Sequence, residues 1–169
     1  PDYKRVSFPQ IYRPLAEGVS EDELLALHLS EIERAIAELE AAGIPLAGMV
    51  FCPIFANEGL PNIPNGFLSH AAALVRNAGG LVILDEVQAG FGRTGRWWGY
   101  QLMECTPDIV TMGKPMGAGI PLSGTGTSNT IASTFHEKCF YFNTTASTPL
   151  QAAVGNAVLD VIEQEGLVE

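Results

Sequence analysis

Cysteine is scarce in this sequence, and its spacing indicates no structural role. The three cysteines, Cys52, Cys105 and Cys139, are an odd number and include no Cys-x-x-Cys pair. Disulfide frameworks use even sets of cysteines, and cysteine zinc sites use closely spaced pairs. We therefore expect neither a disulfide scaffold nor a metal site, and a reducing, cytoplasmic compartment is the simplest expectation.

Basic residues are scarce as well. The chain carries 9 lysines and arginines against 19 aspartates and glutamates, which gives a formal net charge of −10. Binding to nucleic acid or to an anionic membrane needs a basic patch that displaces phosphate counterions. The composition therefore argues against both partners, but not against a local anion site built from backbone amides and one lysine.

Long apolar runs are missing too. No run approaches the roughly 18 residues that span a bilayer, and the N-terminal Pro1-Asp-Tyr-Lys-Arg5 does not have the form of a signal peptide. The 169 residues are 47% hydrophobic, which is enough for a domain with a core and more than a free-standing small domain usually needs. Since there is also no initiator methionine, we expect residues 1–169 to be a single partial domain of a longer protein.

The hydrophobic pattern predicts an α/β domain. Ser20-Glu-Asp-Glu23 forms a capping-box pattern, and apolar residues then recur at helical spacing to Leu39, which predicts a helix over 21–42. His28 lies near this apolar stripe with no second ligand at i+4, so we expect a packed or half-exposed histidine rather than a metal ligand. The alternation of helices and strands favours a mostly parallel sheet. The other predicted elements are strands over 47–52, from 81, over 109–112 and over 121–127, helices over 65–78, over 128–137 and from 149, and a long loop over 53–64 that is expected to line a site.

The central stretch of the chain is Leu81-Val-Ile-Leu-Asp85-Glu86, four apolar residues followed by two acids. This pattern is typical of a buried strand that delivers carboxylates to its C-terminal end. A second strand-like run, Ile109 to Met112, ends in Gly113-Lys114. If both strands are parallel, Asp85 and Lys114 emerge at the same edge of the sheet, where open α/β sheets bind ligands.

Two nucleotide-binding motifs are formally close to this sequence and fail on detail. A P-loop ATPase needs Gly-Lys followed by Ser or Thr, but the only Gly-Lys pair, 113–114, is followed by proline. The run Gly90-x-Gly92-x-x-Gly95 matches a dinucleotide fingerprint, but Asp85 and Glu86 would crowd a pyrophosphate. We expect a tight glycine-rich loop instead.

An acid and a lysine at one ligand-binding edge have a shared chemical explanation. On spacing alone, Lys114 is a surface lysine in a turn. However, a lysine can act as a nucleophile toward a carbonyl, and a buried carboxylate needs a cationic partner. In pyridoxal-phosphate enzymes the lysine forms a Schiff base with the cofactor, and an acid pairs with the pyridine nitrogen.

Three motifs support this explanation. Asp85-Glu-Val-Gln-Ala-Gly-Phe-Gly-Arg-Thr-Gly95, Pro107-Asp-Ile-Val-Thr-Met-Gly-Lys114 and Tyr141-Phe-Asn-Thr144 occur in order. Together they strongly resemble the class III pyridoxal-phosphate aminotransferases, in the branch of alanine–glyoxylate aminotransferase and ethanolamine-phosphate phospho-lyase. The resemblance covers residues from about 47 to the end. It implies a fold-type-I large domain, a three-layer α/β/α arrangement around a mostly parallel sheet.

The resemblance also implies a role for each matching residue. Asp85 would pair with the pyridine nitrogen of pyridoxal 5'-phosphate, Val87 would pack on the ring, and Gln88 would approach the ring hydroxyl. Lys114 would form the Schiff base and move protons. Thr144 would bind the cofactor phosphate of the neighbouring subunit, so a homodimer with a shared active site is implied.

The implied reaction moves an amino group between an amino donor and a keto acid or aldehyde. Two alternatives stay open: a phospho-lyase acting on a phosphorylated amino alcohol, and a catalytically silent scaffold fragment. The chain departs from the family at Cys52-Pro53, where Glu-Pro is usual, and at 145–149, where two glycines are replaced. An N-terminal segment and the small C-terminal domain are expected to be absent, which favours the scaffold alternative.

Overall fold

One four-stranded sheet organises the protein in the computed structural model, which describes residues 2–144 and 148–168. The strands are β1 (Gly48–Phe51), β2 (Leu81–Asp85), β3 (Ile109–Met112) and β4 (Gly124–Thr127), and they lie in that order across the sheet. The pairs β1–β2 and β2–β3 are parallel, whereas β4 runs antiparallel to β3. The predicted mostly parallel sheet is confirmed.

Within the described residues, four α-helices accompany the sheet: α1 (Glu21–Ala41), α2 (Phe67–Asn77), α3 (Asn129–Lys138) and α4 (Pro149–Gln164). Their bounds agree with the predicted helices to within about two residues. The capping box of α1 is formed: the Glu23 amide donates to Ser20 Oγ at 3.3 Å, and the Ser20 amide donates to Glu23 Oε2 at 2.8 Å. Among the described residues, no helix is long and apolar enough to cross a membrane.

The core lies on one face of the sheet. Helix α2 packs against β2, and α1 packs against α2. Val82 and Leu84 of β2 are completely buried against α2, whose Ala71 and Val75 are completely buried too. Because strand side chains alternate between faces, Ile83 points to the other face and is only half-buried. A one-residue slip of β2 would move its buried side chains to the other face, so their burial fixes the pairing register of β2. The register in turn fixes the position of Asp85, the last residue of the strand.

His28 is the least expected member of this core. Its side chain is 2% exposed, and its ring packs edge-on against the Phe67 ring with centroids 6.1 Å apart. Within the part of the chain that the structure describes, neither ring nitrogen has a hydrogen-bond partner. Burial lowers the pKa of His28, and the nearby Glu31 carboxylate opposes this only in part. The expectation of a packed or half-exposed histidine is confirmed on its packed side, and burial favours the neutral form.

We predict that His28→Leu removes an acid sensitivity of folding. The folded state binds the His28 proton less tightly than the unfolded state, so stability present above about pH 6.5 is lost as pH falls below it. Leucine also removes two unpaired buried nitrogens, for a gain of about 1 kcal/mol at neutral pH. Urea unfolding at pH 5.5 and 7.5 measures both effects. The exposed His136→Leu is the matched control, and an acid sensitivity that persists in His28→Leu would contradict the assignment.

Candidate active site

The β2–β3 register brings the predicted acid and amine to one edge. Asp85, the last residue of β2, pairs with Thr111 of β3. Lys114 follows three residues later, just beyond the end of β3. Both residues therefore stand at the carboxyl ends of adjacent parallel strands, where ligands bind in open α/β sheets.

Two hydrogen bonds hold the Asp85 carboxylate in one orientation. Asp85 Oδ1 accepts from the Val87 backbone amide at 3.0 Å and from Thr111 Oγ1 at 3.3 Å. Within residues 2–144 and 148–168, no hydrogen bond reaches Asp85 Oδ2. One oxygen therefore fixes the carboxylate, and the other can still accept a hydrogen bond.

A cavity of about 520 Å³ opens beside these strand ends. It brings together three of the five predicted site residues, Val87, Gln88 and Lys114. An added Cβ at Gly113 would lie 3.4 Å from Val87 Cγ1, so Val87 packs directly over the residue that precedes Lys114. The rest of the lining comes from Ile54, Ala56 and Leu60 of the 53–64 loop, from Arg93 and Thr94, and from Pro115.

The other two predicted residues stand apart from this cavity. Asp85 is not among its lining residues, although Asp85 Oδ1 bonds to Val87, which is. Thr144 lies in an exposed turn and lines no part of the cavity. A larger cavity of about 650 Å³, around residues 61–69, contains no lysine and none of the predicted site residues. We therefore take the Lys114 cavity as the candidate site.

Glu86 links the segment that follows β2 to the backbone at Gly99 and Tyr100. Its side chain is fully buried, and its two carboxylate oxygens accept from the Gly99 and Tyr100 amides, both at 2.8 Å. Burial raises the pKa of Glu86 and the neighbouring Asp85 charge adds to this, while the two backbone N–H groups act in the opposite direction. A Cβ at Gly99 would come within 2.7 Å of the Ala89 Cβ, so this close approach requires glycine.

The glycine motif 90–95 forms the expected tight loop. Gly92 and Gly95 both adopt positive φ, and the Gly95 amide donates to the Gly92 carbonyl at 3.0 Å. The Phe91 ring packs edge-on against Trp98 with centroids 5.2 Å apart. No helix begins at Gly95, which a dinucleotide-binding turn would require.

Sequence reasoning missed two contributors to the site. Thr111 bonds to Asp85, and Asn57 accepts a hydrogen bond from Gln88 Nε2 at 2.9 Å. A polar residue within the apolar run 109–112 was the available signal for Thr111. The only signal for Asn57 was its place in the long 53–64 loop. Among the described residues, no group of three or more His, Cys, Asp or Glu side chains could hold a metal ion.

Comparisons with known proteins relate the chain to one family. Residues 4–169 match the family model described as aminotransferase class-III. Over 125 residues the chain is 44% identical to human alanine–glyoxylate aminotransferase 2, mitochondrial, covering 73% of this chain and 24% of that protein.

Solved structures share the fold. An Arthrobacter phospholyase in complex with phosphoethanolamine is 42% identical with a TM-score of 0.88, covering 98% of this chain and 39% of that one. An (S)-enantioselective omega-transaminase from Thermomicrobium roseum is 35% identical with a TM-score of 0.84, covering 97% of this chain and 37% of that one. The chain thus spans well under half the length of these relatives.

We predict that Glu86→Gln removes a specific pH dependence of stability. Because the pKa of Glu86 is raised on folding, its favourable contribution is complete at low pH. It is lost as pH rises from about 4.3 through the folded-state pKa. The stability of the wild type relative to Glu86→Gln should therefore fall as pH rises from 4 to 8. Urea unfolding across this range tests the sign, with the exposed Glu58→Gln as control. A difference that stays constant with pH would contradict it.

Proposed function

Since the chain belongs to the class III aminotransferase family, we propose that the Lys114 cavity binds pyridoxal 5'-phosphate. We propose further that the protein moves an amino group between an amino donor and a keto acid or aldehyde. The activity of the whole protein is itself part of this proposal, because the chain covers 24% of its human relative.

One observation carries the proposal. Lys114 lines the same cavity as Val87 and Gln88, and Asp85 stands at the end of the neighbouring parallel strand. The residues fit the cofactor in chemical type: an amine for its aldehyde, a branched apolar side chain for the ring face, and an amide for the ring hydroxyl. The free Asp85 Oδ2 supplies the acceptor that a protonated pyridine nitrogen requires.

When bound, the cofactor supplies an electron sink for the pair of electrons left at the substrate α-carbon. Asp85 would keep the ring nitrogen protonated, and Thr111 and the Val87 amide would prevent the carboxylate from turning away. Lys114 would provide the amine that bonds to the aldehyde. The same side chain would serve, as a free amine, to hold the proton removed from the substrate.

Thr144 is proposed to act on a second subunit. It lies in an exposed turn two residues after a run of three exposed aromatic residues, Phe140, Tyr141 and Phe142, which are 94%, 66% and 73% exposed. Such a run of aromatic side chains is typical of an interface. This supports a homodimer in which the turn reaches the neighbour's site. A cytoplasmic location stays a prediction, since the human relative is described as mitochondrial.

A phospho-lyase acting on a phosphorylated amino alcohol is the second candidate. The Arthrobacter phospholyase complex with phosphoethanolamine favours it. The positive charge of Arg93 also favours a phosphorylated substrate, because Arg93 lines the cavity with Lys114 and forms no ion pair among the described residues. Phosphoethanolamine separates the two candidates: a lyase releases inorganic phosphate without a keto acceptor, whereas an aminotransferase needs the acceptor and releases no phosphate. Phosphate release that requires Lys114 would select the lyase.

We predict that pyridoxal phosphate labels one lysine of the chain. Incubation, borohydride reduction and peptide mass spectrometry should locate the label on Lys114, and Lys114→Ala should abolish it. The sequence offers two other lysines, Lys4 and Lys138, so Lys138→Ala is the matched control and should label as the wild type does. Labelling spread over all three lysines, or undiminished in Lys114→Ala, would contradict the proposal and favour the silent scaffold.

A further inference from the structure

One hydrogen bond joins the 53–64 loop to the segment that follows β2. Gln88 Nε2 donates to Asn57 Oδ1 at 2.9 Å. Gln88 lines the Lys114 cavity, whereas Asn57 is exposed and is not among the lining residues. The bond spans 31 positions of the sequence, and among the described residues it is the side-chain hydrogen bond that joins the loop to a predicted cofactor-contacting residue.

The turn that carries Asn57 is held firmly. Asn57 lies in the 3-10 turn Ala56–Glu58, which is flanked by Phe55 and Gly59, both in the left-handed conformation. The Phe55 carbonyl accepts from the Glu58 and Leu60 amides, each at 3.1 Å, and the Phe55 side chain is only 8% exposed. A phenylalanine with φ of 45° is strained and persists only where its surroundings impose it. The backbone that carries Asn57 is thus held in a fixed position.

Gln88 gains a defined orientation from this partner. A glutamine side chain has three rotatable bonds, and ordering it costs on the order of 1.5–2 kcal/mol of conformational entropy. The hydrogen bond to Asn57 uses one N–H of the Gln88 amide. The amide oxygen and the second N–H stay available for a ligand. Part of the ordering cost is therefore offset before any ligand arrives.

We propose that Asn57 is a positioning residue that fixes the Gln88 amide for the cofactor's ring hydroxyl. The proposal rests on the proposed function for its ligand, but not for the hydrogen bond itself. Ala56 and Leu60, on the same turn, line the cavity. One anchored turn therefore both shapes the wall that a substrate meets and orients a group that faces the cofactor.

The first test needs no cofactor. Hydrogen exchange of the Gln88 side-chain amide is measured by NMR on 15N-labelled protein, with the signal assigned by its loss in Gln88→Glu. Asn57→Leu, which removes the acceptor at similar size, should speed this exchange roughly five- to tenfold. Asn57→Asp keeps an oxygen acceptor and should stay within twofold of the wild type. Asn62→Leu, at an exposed asparagine of the same loop, is the control. Unchanged exchange in Asn57→Leu would overturn the positioning role.

The second test measures the dissociation constant of pyridoxal phosphate by quenching of tryptophan fluorescence. Asn57→Leu should weaken binding roughly three- to tenfold, while the borohydride label stays on Lys114. Asn57→Asp should restore the affinity, and Asn62→Leu should match the wild type. Equal affinity in Asn57→Leu and wild type would overturn the cofactor half of the proposal. A wild type that takes no label at Lys114 would overturn the proposed function as well, and the NMR result alone would then decide the positioning role.

Discussion

The parallel pairing of β2 with β3 is the constraint on which the candidate site depends. Backbone hydrogen bonds set Asp85 opposite Thr111, and this register determines where Lys114 leaves the sheet. Among the described residues, Asp85 and Lys114 form no ion pair with each other, so their attraction does not hold them together. A slip of one residue would turn Asp85 to the opposite face. The same slip would expose the core residues Val82 and Leu84. Their burial therefore stabilises the register that positions Asp85.

The same alternation separates two adjacent carboxylates into different roles. Asp85 points to the face that also carries Thr111, and it keeps one oxygen unpaired. Glu86 points inward, where both oxygens accept backbone amides at 2.8 Å. A buried carboxylate is costly unless it is hydrogen-bonded, and the raised pKa of Glu86 shows that two amides offset burial only in part. Glu86 thus fixes the loop from Ala89 to Tyr100 at a net electrostatic cost. Its neighbour Asp85 keeps one carboxylate oxygen without a hydrogen bond among the described residues.

The sequence predicted the elements well because their signals are local. The capping box at Ser20 and the periodic run to Leu39 define α1, and the four apolar residues before Asp85 define β2. The site was predictable only where a motif carried it. Contacts that depend on the tertiary arrangement left no such signal: Asn57 meets Gln88 across 31 residues, and Thr111 meets Asp85 only through the strand register. His28 was expected to pack, but periodicity could not show that both of its nitrogens would lack partners.

Net charge says little about the cavity itself. In a chain of formal charge −10, the cavity lining contains two cations, Arg93 and Lys114, and no acid. Salt screens interactions beyond about 8–10 Å, so an anionic ligand would meet this local charge rather than the overall one. Both of the proposed reactions would begin with removal of a proton next to the substrate amine, and only phosphate elimination would then break a carbon–oxygen bond. The 53–64 loop contributes Ile54, Ala56 and Leu60 to the wall of this cavity, so its side chains would contact a substrate bound beside Lys114 in either proposed reaction.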